Sequence, residues 1–237
     1  MFFHIFDAKN INLSFACQNC YQKNPMAKNR LATKVWAKEH ALLPKIFWQN
    51  VLFSDETTLE LYPNKRVLVR RLPNTGMEKK NFSETRKFGG KKLMLWGFIA
   101  HGDRKCLQKV CGTINLIKYL QILQESLLPE MFLGDKLQQD NAPANNSILS
   151  ETWLCENGLE ILENWPPNSP DINIIEYVWS LLKKRVFQRH PKNIEEIWAF
   201  CQEEFERIPL EYIQNLYSSI PDRLNKIVQC NGKNIKF

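Results

Sequence analysis

The chain has 237 residues, 44% of them hydrophobic, with seven Trp and fourteen Phe; that is material for a substantial core and excludes a disordered chain. No apolar run approaches the roughly 20 residues of a membrane span, and the opening FFHIF lacks the basic flank of a signal peptide, so no membrane association is expected. Net charge is +7, yet residues 65–92 alone hold ten Lys or Arg and two Glu, a net of +8, so one segment carries the whole imbalance. Charge concentrated in this way is the footprint of a polyanion such as nucleic acid, although Lys-rich hairpins also guard sheet edges. The seven cysteines (17, 20, 106, 111, 155, 201 and 230) are odd in number and scattered, which reads as reduced thiols in an intracellular protein. Cys17-x-x-Cys20 lacks the second ligand pair of a structural zinc site.

Residues 1–26 show no periodicity and read as an irregular leader. A linker region, 27–50, follows, in which Leu31, Ala32, Val35, Trp36 and Leu42 recur at helical spacing over 27–42. From residue 51 onward the pattern is that of one folded domain. A short strand, 51–53, runs into Ser54-Asp55-Glu56, and 57–62 with 67–69 predict a hairpin or meander. Gly89-Gly90 precede KKLMLWGFIA, a strand apolar enough to cross the middle of a sheet. Residues 115–128 form an amphipathic helix with Leu116, Tyr119, Leu120, Leu123 and Leu127 on one face. A strand at 136–139, a helix at 147–157 stopped by Gly158, and a strand at 159–162 lead to the stiff loop 165–170, WPPNSP. Helices are expected from 174 to 187, 194 to 208 and 210 to 220. Antiparallel strands followed by strand–helix alternation predict an α/β fold, a mixed sheet covered by helices, with more helices at the C-terminus.

Three carboxylates stand out by position. Asp55 ends a strand; strand alternation puts its neighbour Glu56 on the opposite side, so only one of the two is expected to share a site with Asp140. Asp140 emerges at the carboxyl end of its strand, where open α/β sheets place their chemistry, or else it starts a turn or caps a helix. Glu176 falls at the third helical position after Asn173, as in a capping box; the helix dipole there also favours the ionised form that a metal ion requires. Lys183, two turns beyond Glu176, and Lys184 are candidates for holding phosphate. Lys65, Arg66, Arg70, Arg71, Lys91 and Lys92 are the candidates within the basic segment.

Four motifs in order, VLFSDET, GGKKLMLWGFIAHG, LQQDNAPAN and WPPNSPDINIIEYVWSLLKKRV, together with the C-terminal helices, resemble the catalytic domain of mariner-type DNA transposases of the Tc/mariner superfamily. The resemblance runs from about Lys28 to the end. It implies an RNase H-like fold of the retroviral integrase superfamily, spanning 51–237, in which Asp55, Asp140 and Glu176 are catalytic and bind two Mg²⁺ or Mn²⁺ ions. It further implies metal-dependent DNA strand cleavage and strand transfer on double-stranded DNA (transposon ends, joined to TA targets), a homodimer on DNA, and a nuclear location.

Three departures accompany it. Asn145 stands where the family usually has His; its amide can keep a hydrogen bond but cannot titrate near neutrality. The Asp140–Glu176 interval is one residue longer than usual, and the extra residue is Asn164, in a loop. Only about fifty residues precede Asp55, too few for the paired helix-turn-helix modules that read transposon ends. The alternative expectation is therefore a truncated or inactive transposon-derived remnant that binds DNA without transposing.

Overall fold

The computed structural model describes residues 25–61, 91–142, 145, 147–167, 169–233 and 235. Most of the leader, the expected strand at 67–69, and Lys65, Arg66, Arg70 and Arg71 lie outside the described residues.

Five strands form one sheet in the order β3-β2-β1-β4-β5. The first three, β1 (Val51–Glu60), β2 (Lys92–Ile99) and β3 (Lys105–Val110), are antiparallel neighbours. β4 (Lys136–Gln138) and β5 (Glu160–Ile161) add in parallel on the other side of β1. The expected mixed sheet is therefore present, with two differences. Instead of stopping at Phe53, β1 runs ten residues through Ser54, Asp55 and Glu56, because its ladder with β2 continues from Phe53 opposite Ile99 to Glu60 opposite Lys92. Pairing overrides the polar interruption. Its parallel partner β4, by contrast, ends opposite Phe53. Beyond that point β1 has a neighbour strand on one side only among the described residues, and the gap is where Asp140 arrives. The second difference is β3, whose half-buried KCLQKV carries too weak an alternation to be read as a strand.

Helices α1 (Pro25–His40) and α2 (Lys45–Gln49) precede the sheet. The apolar face read into α1 is mostly exposed, Leu31 at 63% and Val35 at 48%, with Ala32, and Leu42 beyond the helix, exposed too; of that face Trp36 is buried, and Thr33 and Ala37 are buried beside it. Trp36 decides this orientation. Its ring stacks on His40 at 3.8 Å, meets Trp165 edge-on at 5.0 Å, and donates from Nε1 to the Glu163 carbonyl. The helix α3 (Leu116–Ile122) continues as one π turn and one 3₁₀ turn to Glu130, so a single element fills the stretch read as one helix. α4 (Ile148–Glu156) lies between β4 and β5, and Gly158 ends it in the left-handed region at φ 69°. After the Pro-rich loop come α5 (Ile175–Gln188), α6 (Ile194–Glu206), α7 (Leu210–Ser218) and α8 (Ile220–Gln229).

Alternation along the strands divides the core in two. Phe53, Leu59, Leu93, Leu95 and Ile99 face α5–α8, whose stripe Ile175, Val178, Trp179, Leu182 and Val186 is fully buried, as the sequence predicts. Leu52, Trp96, Phe98 and Leu137 face α3 and α4 in a smaller cluster. Gly97 sits opposite Asp55 in the β1–β2 ladder. A Cβ on it would lie 2.5 Å from the Cys106 carbonyl oxygen and 2.8 Å from the Trp179 ring, so only glycine lets α5 lie this close to β2, the strand paired with the one bearing Asp55. No described helix is long and apolar enough to cross a membrane.

Candidate active site

Asp55 points to the α5 face of β1 and Glu56 to the other, as alternation requires. Asp140 lies two residues past the end of β4, level with the gap beside β1. Consequently Asp55, Glu56 and Asp140 each bring a carboxylate oxygen within 4.8 Å of the others. The expectation that only one of the neighbouring pair could approach Asp140 is thus corrected. Opposite faces of a strand both open onto its uncovered edge, and Asp140 stands at that edge.

Glu176, in the first turn of α5, closes the group. It lines a cavity of about 480 Å³ together with Asp55, Asp140, Asn141, Trp165 and Asn173, walled by Pro166, Pro167 and Pro170. The capping box read for this helix does not form. The helix begins one residue later than a box requires, with Ile174 in the cap position and no side-chain bond. The buried Asn173 Oδ1 is left without a partner among the described residues. Among the described residues the box belongs to α4, where the Ser147 and Ser150 side chains each accept from the other's backbone N–H. Asn164 occupies a turn after β5 at φ 54°, a left-handed conformation that Asn tolerates better than most residues.

Crowding of carboxylates perturbs their acidity. Burial is the main cause, with Glu176, Glu56 and Asp140 adding repulsion, and together they push Asp55 from 3.8 to about 8. Burial and the Asp140 charge push Glu56 to about 7. Asp55 Oδ1 accepts the Glu56 N–H at 2.8 Å, which offsets only part of this. Asp140 Oδ1 accepts two bonds, from the Ala142 N–H at 2.9 Å and from Asn145 Nδ2 at 2.8 Å. The neighbouring Asn141 amide donates to the Trp165 carbonyl at 2.9 Å and ties this loop to the Pro-rich one. A set of hard oxygen donors, among which Asp55 and Glu56 resist ionisation, suits a divalent cation, whose charge would reverse that effect. Asp55, Asp140 and Glu176, with Glu56 beside them, fit such an ion.

The basic residues are placed differently. Lys92 pairs with Glu60 at 2.6 Å across the β1–β2 ladder, and Lys91 is exposed beside it. Lys183 and Lys184 do not line the carboxylate cavity. Two features escaped the sequence reading: the convergence of Glu56 on Asp140, and the bond from Asn145. The residue pair SDE and the hydrogen-bonding amide were the only signals for them.

A mixed sheet in this order, flanked by helices, with acidic side chains gathered from a strand, a post-strand loop and a helix, is an RNase H-like arrangement. Residues 50–198 match the family described as DDE superfamily endonuclease, and the chain belongs to that family, with a transposase catalytic domain of the Tc1/mariner type. It is 29% identical over 222 residues to the Tcb1 transposase of Caenorhabditis briggsae, covering 91% of this chain and 81% of that protein. It is 27% identical over 215 residues to the Tc1 transposase of Caenorhabditis elegans, covering 89% and 78%. The fold is similar to that of the Mos1 transposase in its paired-end complex with the left transposon end, at a TM-score of 0.70 and 20% identity. That likeness covers 90% of this chain, which spans 64% of the Mos1 chain. Similar structures also include Mos1 paired-end complexes with Mn, at a TM-score of 0.64, and with Mg, at 0.66.

Proposed function

We propose that this chain is the metal-dependent cutting and joining domain of a cut-and-paste transposase, with Asp55, Asp140 and Glu176 as its catalytic carboxylates. The observation that carries this reading is their convergence on one cavity from three different elements. When bound, a pair of Mg²⁺ or Mn²⁺ ions supplies Lewis acidity for in-line attack at phosphorus. Asp55, Asp140 and Glu176 are the residues that would hold the ions. The prolines of the 165–170 loop restrict the approach to the cavity, and the Asn141–Trp165 bond keeps that wall beside Asp140.

The substrate is double-stranded DNA: transposon ends, with TA as the target, handled by a homodimer in the nucleus. Mos1 in its paired-end complexes, similar in fold, supports the DNA partner, and the Mg and Mn forms of those complexes support the cation. The basic residues of the 65–92 segment, and Lys183 and Lys184 on α5, are the candidates for contacts to phosphate. The intact carboxylate set argues against an inactive remnant.

Incubation of the purified chain with supercoiled plasmid and Mg²⁺ or Mn²⁺ tests this. Nicking that needs the metal and vanishes in Asp140→Asn is the expected result. Plasmid binding with no nicking at any metal concentration would overturn the proposal.

A further inference from the structure

Asp140 differs from Asp55 and Glu176 in having no regular element under it. It sits in the loop that leaves β4, and its carboxylate orientation must come from hydrogen bonds. Both donors fall on Oδ1, and one of them, Asn145, is 3% exposed. The amide's orientation is not arbitrary. A carboxylate only accepts, so the amide nitrogen must face Asp140; the flipped form would set oxygen against oxygen. The consequence is that Asn145 Oδ1 is buried without a partner among the described residues. Burying an amide oxygen in this way costs folding free energy, so stability alone does not explain an asparagine here.

The backbone of Asn145 is itself pinned from both neighbouring helices. Its carbonyl accepts from Ser150 Oγ at 2.8 Å, which joins it to the capping box of α4. The same carbonyl accepts from Gln139 Nε2 at 3.3 Å, and Gln139 Oε1 in turn accepts from the hydroxyl of Tyr119 on α3. Tyr119 and Gln139 are buried, so none of these links competes with bulk water. A chain of bonds thus runs from α3 through Gln139 and Asn145 to Asp140.

We propose that Asn145 is a positioning residue for Asp140: held by the Tyr119–Gln139 bond and the α4 cap, its amide sets the carboxylate in the rotation that receives a divalent cation. This rests on the metal-dependent reading above. A neutral amide suits the task, since its N–H favours the ionised carboxylate and adds no positive charge to repel the cation.

Calorimetric titration of the DNA-free full chain with Mn²⁺ tests the inference, alongside thermal melting of each variant. Asn145→Leu keeps the size and removes the donor; its affinity for Mn²⁺ should fall roughly tenfold to a hundredfold, the usual cost of losing a partner of a metal ligand. Asn145→His restores an N–H and should recover most of the loss. Tyr119→Phe, which keeps the ring, should weaken Mn²⁺ binding in the same direction by less, and it serves if the leucine variant does not fold. A folded Asn145→Leu with wild-type affinity, or a loss that histidine does not recover, would overturn the inference. So would an unchanged Tyr119→Phe if the leucine variant cannot be obtained folded. A wild-type chain that binds no Mn²⁺ would overturn the metal-dependent reading and this inference with it, so the two failures look different.

Discussion

On one face of the sheet, Asp55 and Glu176 stand on elements seated by aromatic and aliphatic packing: Trp179 lies under Gly97, beside Asp55, one helical turn from Glu176. On the opposite face the core is smaller, and the loop carrying Asp140 runs to α4 over a chain of hydrogen bonds through Gln139, Asn145 and Ser150. The first face fixes where two carboxylates stand; the second fixes how the third is turned. Packing is costly to disturb because a lost volume is not refilled. A hydrogen bond is worth less to stability but specifies an angle. A site drawn from both faces therefore divides its position and its orientation between two kinds of force.

The contrast breaks if either face behaves like the other. Trp179→Ala should cost about 3–5 kcal/mol of stability by chemical denaturation. A loss under about 1 kcal/mol would mean that α5 is not seated by this ring. Ser147→Ala, which opens the capping box of α4, should cost only about 1 kcal/mol, with the apolar core intact. A cost equal to that of the tryptophan variant would erase the distinction between the faces.

The third test concerns pH dependence. Asp55 and Glu56 are raised from 3.8 and 4.5 to about 8 and about 7, so without metal the folded chain holds protons that the unfolded chain has released. This reverses the usual carboxylate case. The stability contributed by these protons is present at the acid end and is lost as pH rises from about 4 to about 8. The melting temperature in chelator should accordingly fall between pH 5.5 and 8.5, and Mg²⁺ or Mn²⁺ should flatten that slope. An identical slope in Asp55→Asn/Glu56→Gln would assign it to other groups.

Most of this architecture is legible in the residues. The α5 stripe is an uninterrupted helical pattern of large apolar side chains, and every member is buried. The carboxylates could be picked out because their flanking motifs are distinctive. What could not be read depends on partners distant in sequence. Ser54 to Glu56 look like a break after a strand until β2 is known to lie alongside them. Glu56 looks excluded by alternation until β4 is seen to stop opposite Phe53 and leave both faces open to Asp140. In α1 the periodic residues Leu31 and Val35 point outward, because Trp36 and its aromatic neighbours outweigh the count of apolar positions. The amide of Asn145 was legible as a hydrogen-bonding group, but its target was not.

Gly97 bears on how a gene of this kind decays. Any missense change at its codon places a carbon where the Cys106 carbonyl and the Trp179 ring already are. A copy of the gene altered only there would keep all three acidic codons and still force β2, the strand paired with the one that holds Asp55, away from the helix that holds Glu176. Surveys that judge such copies by the acidic codons alone would count it among the living.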